Sequence, residues 1–169
     1  CNRMRITERV FAQWMYILRE VDGAVLLLHN VPLPAELNIV REAHRFGIAA
    51  LGRNDLGNRT LPTGVPRVYA AHETRIFFTP LVNADLMTDQ KSLCDLHLDT
   101  RPYTGHSTTA DMLWAGVPVL TLPGNTLASR TAASMVLAAN AAPEATIASD
   151  EHNYGARAIA LARNRTALA

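Results

Sequence analysis

Hydrophobic residues recur along the chain with two different periods, and the two periods alternate. Near the start, apolar residues at helical spacing are Val10, Phe11, Trp14, Ile17, Leu18 and Val21. Thr7 is the candidate N-cap of this helix. The apolar run AVLLL at 24–28 then predicts a buried strand. A second helix is predicted from about Ala35 to Phe46, with Gly47 closing it in the left-handed conformation.

The second half of the chain repeats this alternation. The predicted strands are RIFF at 75–78, LHLD at 96–99, VPVLTL at 117–122 and ATI at 145–147. The predicted helices are Ala84–Leu93, a loop and helix over 105–116, Thr126–Asn140 and about 150–163. Strands that alternate with helices of this length favour a parallel sheet with helices on both faces. The sequence therefore predicts an α/β, Rossmann-like fold.

One stretch interrupts the alternation. Residues 47–74, GIAALGRNDLGNRTLPTGVPRVYAAHET, carry several glycines and two prolines and show no clear period. This composition predicts a long loop insertion in an otherwise single domain spanning 1–169. A functional lid is the alternative interpretation of this loop.

Composition narrows the classes of function. The chain has 169 residues, 18% charged residues and a net charge of +1, so bulk electrostatics indicate neither a nucleic-acid nor a membrane partner. Its apolar runs are too short to span a bilayer. The two cysteines, Cys1 and Cys94, favour a reducing compartment, which is the cytoplasm or the nucleus. The chain starts CNRMRIT without an initiator methionine, and we expect a segment of a longer protein.

The loop before the predicted helix at 105–116 carries the candidate chemistry. Gly105 permits close approach of a ligand, and His106, Ser107 and Thr108 add donors beside the unpaired N–H groups of a helix N-terminus. This combination suits a diphosphate. The alternative is that Ser107 only caps the helix and Asp111, one turn on, is a solvated acid. The sequence contains neither a Walker motif nor GxGxxG.

A longer segment makes this hypothesis more specific. Residues 99–134, DTRPYTGHSTTADMLWAGVPVLTLPGNTLASRTAAS, resemble the C-terminal catalytic lobe of the protein O-linked N-acetylglucosamine transferases. The family pattern includes Tyr-x-Gly-His-Thr-Thr, Leu-Trp-Ala-Gly-x-Pro and Ala-Ser-Arg-x-Ala-Ala-Ser. NRMRIT at 2–7 and RIFFTPLV at 75–82 resemble it more weakly. The resemblance implies one lobe of a GT-B glycosyltransferase that moves N-acetylglucosamine from UDP to protein Ser/Thr hydroxyls without a metal.

The resemblance also implies roles for individual residues. Those implied to bind UDP are Asn2, Val82, His106, Ser107, Thr108 and Asp111. His106, Ser107 and Thr108 would hold the diphosphate, Asp111 the ribose, and the backbone at Val82 the uracil. Arg5 stands where the family has a lysine, and Arg5 and His106 would be the catalytic residues.

Several departures from the family pattern qualify this expectation. Ala84 and Met87 align with a family lysine and histidine near the uracil. The N-terminal lobe and helical repeats, through which protein acceptors would bind, lie outside the sequence. We therefore expect this segment alone to bind UDP weakly and to transfer no sugar.

Two alternative functions stay open. A related branch of the family transfers fucose from GDP-fucose to proteins, but it has a threonine run where this chain has Gly105-His106. A non-catalytic nucleotide-binding or interaction module is the other alternative. Elsewhere, the scattered histidines lack zinc-ligand spacing, and His97, Trp14 and Trp114 are interpreted as packed residues.

Overall fold

The structure is a computed structural model that describes residues 6–29, 32–51, 73–79 and 82–164. Its internal contacts divide the chain into two compact units. The first contains residues 1–3 and 14–81, and the second contains residues 4–13 and 82–169. Helix α1, Glu8–Glu20, has residues in both units.

The first unit is built on a parallel strand pair. Strand β1, Leu26–His29, pairs with β2, Ile76–Thr79, and helix α2, Leu33–Arg45, lies between them in the chain. Arg75 joins α1 to this pair, because its guanidinium donates to the carbonyls of Leu18 at 2.9 Å and Val21 at 2.7 Å. The core of this unit includes Met15, Leu18, Leu28, Val40, Ile76 and Phe78.

Two local predictions in this half are confirmed. Thr7 caps α1, since its hydroxyl accepts from the Val10 N–H at 3.3 Å. Gly47 follows α2 with φ of +73°, the left-handed conformation that glycine adopts without steric cost.

The segment predicted as an insertion at 47–74 begins with buried residues. Ile48, Ala49 and Ala50 are at most 5% exposed, and Ala50 makes a parallel bridge with Ile76. Alanine is a poor strand former, so the sequence pattern did not indicate this short pairing. Residues 52–72 lie outside the described residues, and the insertion there stays a prediction.

The second unit carries the motif-bearing half of the chain. Its helices are α3 (Ala84–Ser92), α4 (Ser107–Trp114), α5 (Thr131–Ala138), α6 (Pro143–Thr146) and α7 (Glu151–Arg163). Strands β3, His97–Leu98, and β4, Val119–Leu120, form a parallel pair. Thr121 extends the pairing through a parallel bridge to Ile147. Parallel strands joined through helices confirm the predicted α/β class.

Two predicted elements differ from the structure. The helix expected over 126–140 is divided into a 3₁₀ turn, Leu127–Ser129, and α5. The cause is local, because the Ser129 hydroxyl bonds both the N–H and the carbonyl of Thr126 and tightens the first turn. The strand expected at 145–147 is reduced to Ile147, because Pro143 starts a helix that continues through Thr146.

The two tryptophans differ in environment. Trp14 is 3% exposed, which confirms its place in the core, whereas Trp114 is 84% exposed, so its assignment to the core was wrong. Trp114 is the last residue of α4, and the buried residue of that helix is Thr109. Helical spacing alone therefore placed Trp114 on a face that the protein does not bury.

Candidate functional site

The candidate loop lies at the carboxyl edge of the β3–β4 pair. Residues 99–106 connect β3 to α4, and residues 121–126 follow β4. Because the two strands are parallel, both connections leave the same edge. This is the edge at which open α/β sheets bind their ligands.

Helix α4 begins without a capping side chain. Its N-cap position is occupied by His106, no side chain among the described residues caps it, and its first turn contains no acidic residue. Ser107 is the first helical residue, so the alternative that Ser107 merely caps the helix is wrong. Among the described residues, no side chain therefore satisfies the first N–H groups of α4, which lie at the positive end of its dipole.

The hydroxyl residues of the first turn have different environments. Ser107 is exposed and Thr108 is half-buried, so both lie at or near the surface. Thr109 is fully buried, and its Oγ1 has no hydrogen-bond partner among the described residues. A Cβ added to Gly105 would lie 2.3 Å from this Oγ1, so only glycine fits beside Thr109. Gly105 is thus required by a close approach within the protein.

His106 is held by an aromatic neighbour. Its ring stacks on Tyr103 with centroids 4.8 Å apart, and Nδ1 lies 3.4 Å from the Tyr103 hydroxyl. Nε2 of His106 is buried and has no partner among the described residues. Buried polar atoms are normally hydrogen-bonded, so an orphaned nitrogen at an uncapped helix end indicates a place for a polar ligand.

Asp111 is engaged by a lysine that the sequence analysis did not single out. Lys91, near the end of α3, donates to the Asp111 carboxylate, and the side chains are 12% and 51% exposed respectively. α3 packs against α4, so this ion pair links the two helices. A ligand that bonds Asp111 would share the carboxylate with Lys91.

A cleft of about 610 Å³ opens within the second unit. Its walls include Thr7–Val10 at the start of α1, Arg101 with Pro102, and the loop 122–126 after β4. Its volume lies within the range of roughly 300–1,000 Å³ typical of small-molecule sites. Arg101 is fixed in the wall by an ion pair to Glu151 at 3.0 Å and a bond to Gln13 Oε1 at 2.7 Å.

Other polar residues near the loop have structural roles. Arg130 donates to the Gly124 carbonyl at 3.1 Å and so holds the loop after β4. Desolvation by burial lowers the pKa of His97 in β3 to about 4. His97 is therefore neutral at physiological pH, which agrees with its interpretation as a packed residue.

In the described ranges, no group of three His, Cys, Asp or Glu could hold a metal ion.

Comparison with known proteins identifies the family. The sequence profile of Glycosyl transferase family 41 matches residues 2–169. The chain belongs to glycosyl transferase family 41. The resemblance to the protein O-linked N-acetylglucosamine transferases is thereby confirmed at the level of the family.

Named relatives agree with this assignment. The family 41 chain is 36% identical over 159 residues to the probable UDP-N-acetylglucosamine–peptide N-acetylglucosaminyltransferase SEC of Arabidopsis thaliana, covering 92% of this chain and 13% of that protein. It is 36% identical over 169 residues to the SPINDLY protein of Solanum lycopersicum, which carries the same probable activity in its name, covering 99% of this chain and 16% of that protein. The chain thus spans about one sixth or less of these relatives' length.

A solved structure shows the same fold. The O-GlcNAc transferase of Thermobaculum terrenum, in its K341M mutant, superposes with a TM-score of 0.75 at 23% identity, over 97% of this chain and 29% of that chain. At this identity the likeness concerns the fold, and it confirms the expected α/β class.

The structure locates most of the predicted site residues of the family 41 chain. His106, Ser107, Thr108 and Asp111 lie together on the first turns of α4, and Val82 directly precedes the α3 N-cap. Asn2 and Arg5 lie outside the described residues, and their roles stay predictions. Sequence reasoning missed Lys91 and the loop 122–126. The signal for that loop was available, since Pro123-Gly124 follows a predicted strand.

Among the described residues, no helix combines the length and apolarity needed to cross a bilayer.

Proposed function

We propose that this chain is the donor-binding part of a glycosyltransferase that takes N-acetylglucosamine from UDP-N-acetylglucosamine to Ser/Thr hydroxyls of proteins. The observation that carries the proposal is the N-terminus of α4, which no described side chain caps. There His106 presents a buried Nε2 that has no hydrogen-bond partner within the same described part of the chain. Membership of family 41 supplies the class of reaction.

Each residue at the helix end has a role in this proposal. His106, Ser107, Thr108 and the first N–H groups of α4 bind the diphosphate of the donor. Asp111 accepts from the ribose while it shares its carboxylate with Lys91.

The backbone at Val82, ahead of α3, meets the uracil. Asn2 contributes to the same UDP site, and Arg5 supplies a cation to the diphosphate.

The same groups assist the chemistry. When the sugar is transferred, negative charge develops on the departing UDP. Fixed donors aimed at that charge stabilise the transition state more than the ground state. His106 and Arg5 are the catalytic residues in this sense, and the proposal requires no metal cofactor.

The proposed partners are a nucleotide sugar and an acceptor protein, which bind to different parts of the enzyme. This chain would bind the nucleotide sugar, while protein acceptors would bind through a facing lobe and helical repeats of the kind that the resemblance implies. The proposal includes neither nucleic acid nor a membrane, and the net charge of +1 supports this. It places the protein in the cytoplasm or nucleus.

Calorimetric titration of the 169-residue chain with UDP tests the proposal. We expect measurable binding of UDP and weaker binding of GDP, the leaving group of the fucose-transferring branch. His106→Ala should weaken UDP binding by about 1–3 kcal/mol, the scale of a hydrogen bond to a charged group. His152→Ala, an exposed histidine on α7, is the matched control and should leave the affinity unchanged.

Three results would contradict the proposal. Equal UDP affinity of the wild type and His106→Ala would remove His106 from the site. Tighter binding of GDP than UDP would favour fucose transfer. Absence of binding to either nucleotide would favour an interaction module.

A further inference from the structure

One buried carboxylate, that of Asp99, contacts both loops that leave the carboxyl edge of the β3–β4 pair. Asp99 directly follows β3 and is 3% exposed. Its Oδ1 accepts from the N–H of Thr100 at 2.9 Å and from the N–H of Gly105 at 2.7 Å. Its Oδ2 accepts from the hydroxyl of Thr121, the residue after β4, at 2.7 Å. One side chain thus joins the start and the end of the loop to the neighbouring strand.

The backbone at Asp99 and at Thr104 is also held in place. The main-chain carbonyl of Asp99 accepts from the hydroxyl of Tyr154 at 2.9 Å, and Tyr154 is a fully buried residue of α7. Thr104, next to Gly105, is held separately, because its N–H and its hydroxyl both donate to the Ala128 carbonyl. The loop between Asp99 and Gly105 is therefore closed by contacts at each end.

We propose that Asp99 is the positioning residue of the donor loop. Gly105 immediately precedes His106, the N-cap of α4, so the bond from Gly105 to Oδ1 fixes where the helix starts. The inference rests on the proposed function, since the ligand of that helix end is the UDP diphosphate. Asp99 lies beneath the loop and acts through Gly105 and His106 rather than by contact with the nucleotide.

A purely structural role makes a different prediction. If Asp99 only satisfies buried N–H groups, its loss lowers stability and leaves ligand affinity unchanged while the protein is folded. If Asp99 positions the loop, affinity falls in the folded protein as well. The two roles are separated by measuring UDP affinity below the melting temperature of each variant.

Three variants make the comparison. Asp99→Ala removes the acceptor contacts to Thr100, Gly105 and Thr121 described above and should reduce UDP affinity about tenfold or more, the effect expected for losing a hydrogen bond to a charged group. Asp99→Asn keeps an oxygen for Gly105, and its NH₂ can donate to Thr121, so affinity should stay within about threefold of wild type. Thr121→Val removes a bond to the same carboxylate without touching Gly105, and should lower the melting temperature while retaining affinity.

Two outcomes would overturn the proposal. One is wild-type UDP affinity in folded Asp99→Ala. The other is an equal loss of affinity in Asp99→Ala and Thr121→Val. If Asp99→Ala does not fold, amide exchange of the wild type decides, and a Gly105 amide that exchanges as fast as the Ser107 amide overturns the proposal.

Amide exchange of the ligand-free chain tests the bond from Gly105 to Asp99 independently of UDP. The Gly105 amide should be protected, whereas Ser107, at the first position of α4, should exchange quickly. Equal and rapid exchange at both overturns the positioning role. Absence of UDP binding with a protected Gly105 instead overturns the proposed function and supports the hold by Asp99.

Discussion

The contact between Gly105 and Thr109 allows the helix start to be displaced by a known amount. A Cβ at position 105 would lie 2.3 Å from Thr109 Oγ1, and ordinary contact begins at 3.4 Å, so Gly105→Ala must open the contact by 3.4 − 2.3 = 1.1 Å. Gly105 is not among the described residues with positive φ, so the backbone accepts alanine without strain. The steric cost therefore arises mainly from this contact, because the next nearest side-chain atom, Asp99 Oδ1, would lie at 3.3 Å.

The size of the effect follows from the burial of the pair. Thr109 is fully buried and β-branched, so few of its rotamers can relieve the overlap. Overpacking of this kind costs about 1–3 kcal/mol of the free energy of unfolding. For a chain of this length that corresponds to a fall in melting temperature of roughly 2–4 °C for each kcal/mol.

A double-mutant cycle isolates the contact. Thr109→Ala removes the atom that the new methyl would meet, so Gly105→Ala/Thr109→Ala should be more stable than the sum of the single changes predicts, by about 1 kcal/mol or more. Chemical unfolding of the four proteins measures this coupling. Gly105→Ala should also weaken UDP binding, because it moves the N-terminus of α4.

Additive effects of the two substitutions on stability would contradict this prediction. If the two substitutions add within experimental error, the contact between position 105 and Thr109 does not limit the loop. If Gly105→Ala binds UDP like the wild type, the position of the helix start does not govern the nucleotide site.

The remaining predictions concern single side chains. Asp111→Ala should weaken binding of UDP but not of inorganic pyrophosphate, because its proposed partner is the ribose; equal losses in calorimetry would place Asp111 elsewhere. Burial lowers the pKa of the His97 imidazole from 6.5 to about 4, so the imidazole is protonated at a higher pH in the unfolded chain than in the folded one. The free energy of unfolding therefore falls as the pH drops from 6.5 to 4. Over that window the wild type should lose about 3 kcal/mol more than His97→Leu in urea titrations, and parallel curves would contradict this. In a longer protein that contains this segment and transfers sugar, Arg5→Ala should abolish most turnover while Arg5→Lys retains much of it, because charge matters more than shape. Turnover of Arg5→Ala within about twofold of wild type would show that Arg5 is not catalytic.

Local signals in the sequence predicted much of the architecture. The cap at Thr7 and the left-handed Gly47 are decided by neighbouring residues, and the structure confirms both. The alternation of periods predicted the parallel pairing for the same reason. The loop at Gly105 and His106 was placed correctly because its strand and helix flanks are themselves local patterns.

Tertiary contacts decided what the sequence did not show. The Asp99 carboxylate bonds Thr121, 22 positions away, and Lys91 pairs with Asp111, 20 positions away. In each pair the two residues lie on different elements of the chain, so the spacing of residues in the sequence does not indicate these contacts. The assignment of Trp114 to the core was wrong for a related reason. Periodicity predicts which residues share a helix face, but not whether another element packs against that face.

In the proposed function, the N-terminus of α4 binds the diphosphate of a uridine nucleotide. Its most direct test is an NMR titration of the 169-residue chain, run in parallel with UDP and with uridine, that follows the backbone amides of residues 105–108. We expect large shifts at these amides with UDP, small ones with uridine, and no UDP response in His106→Ala. Shifts of equal size with both ligands, or a UDP response that bypasses these four amides, would contradict it.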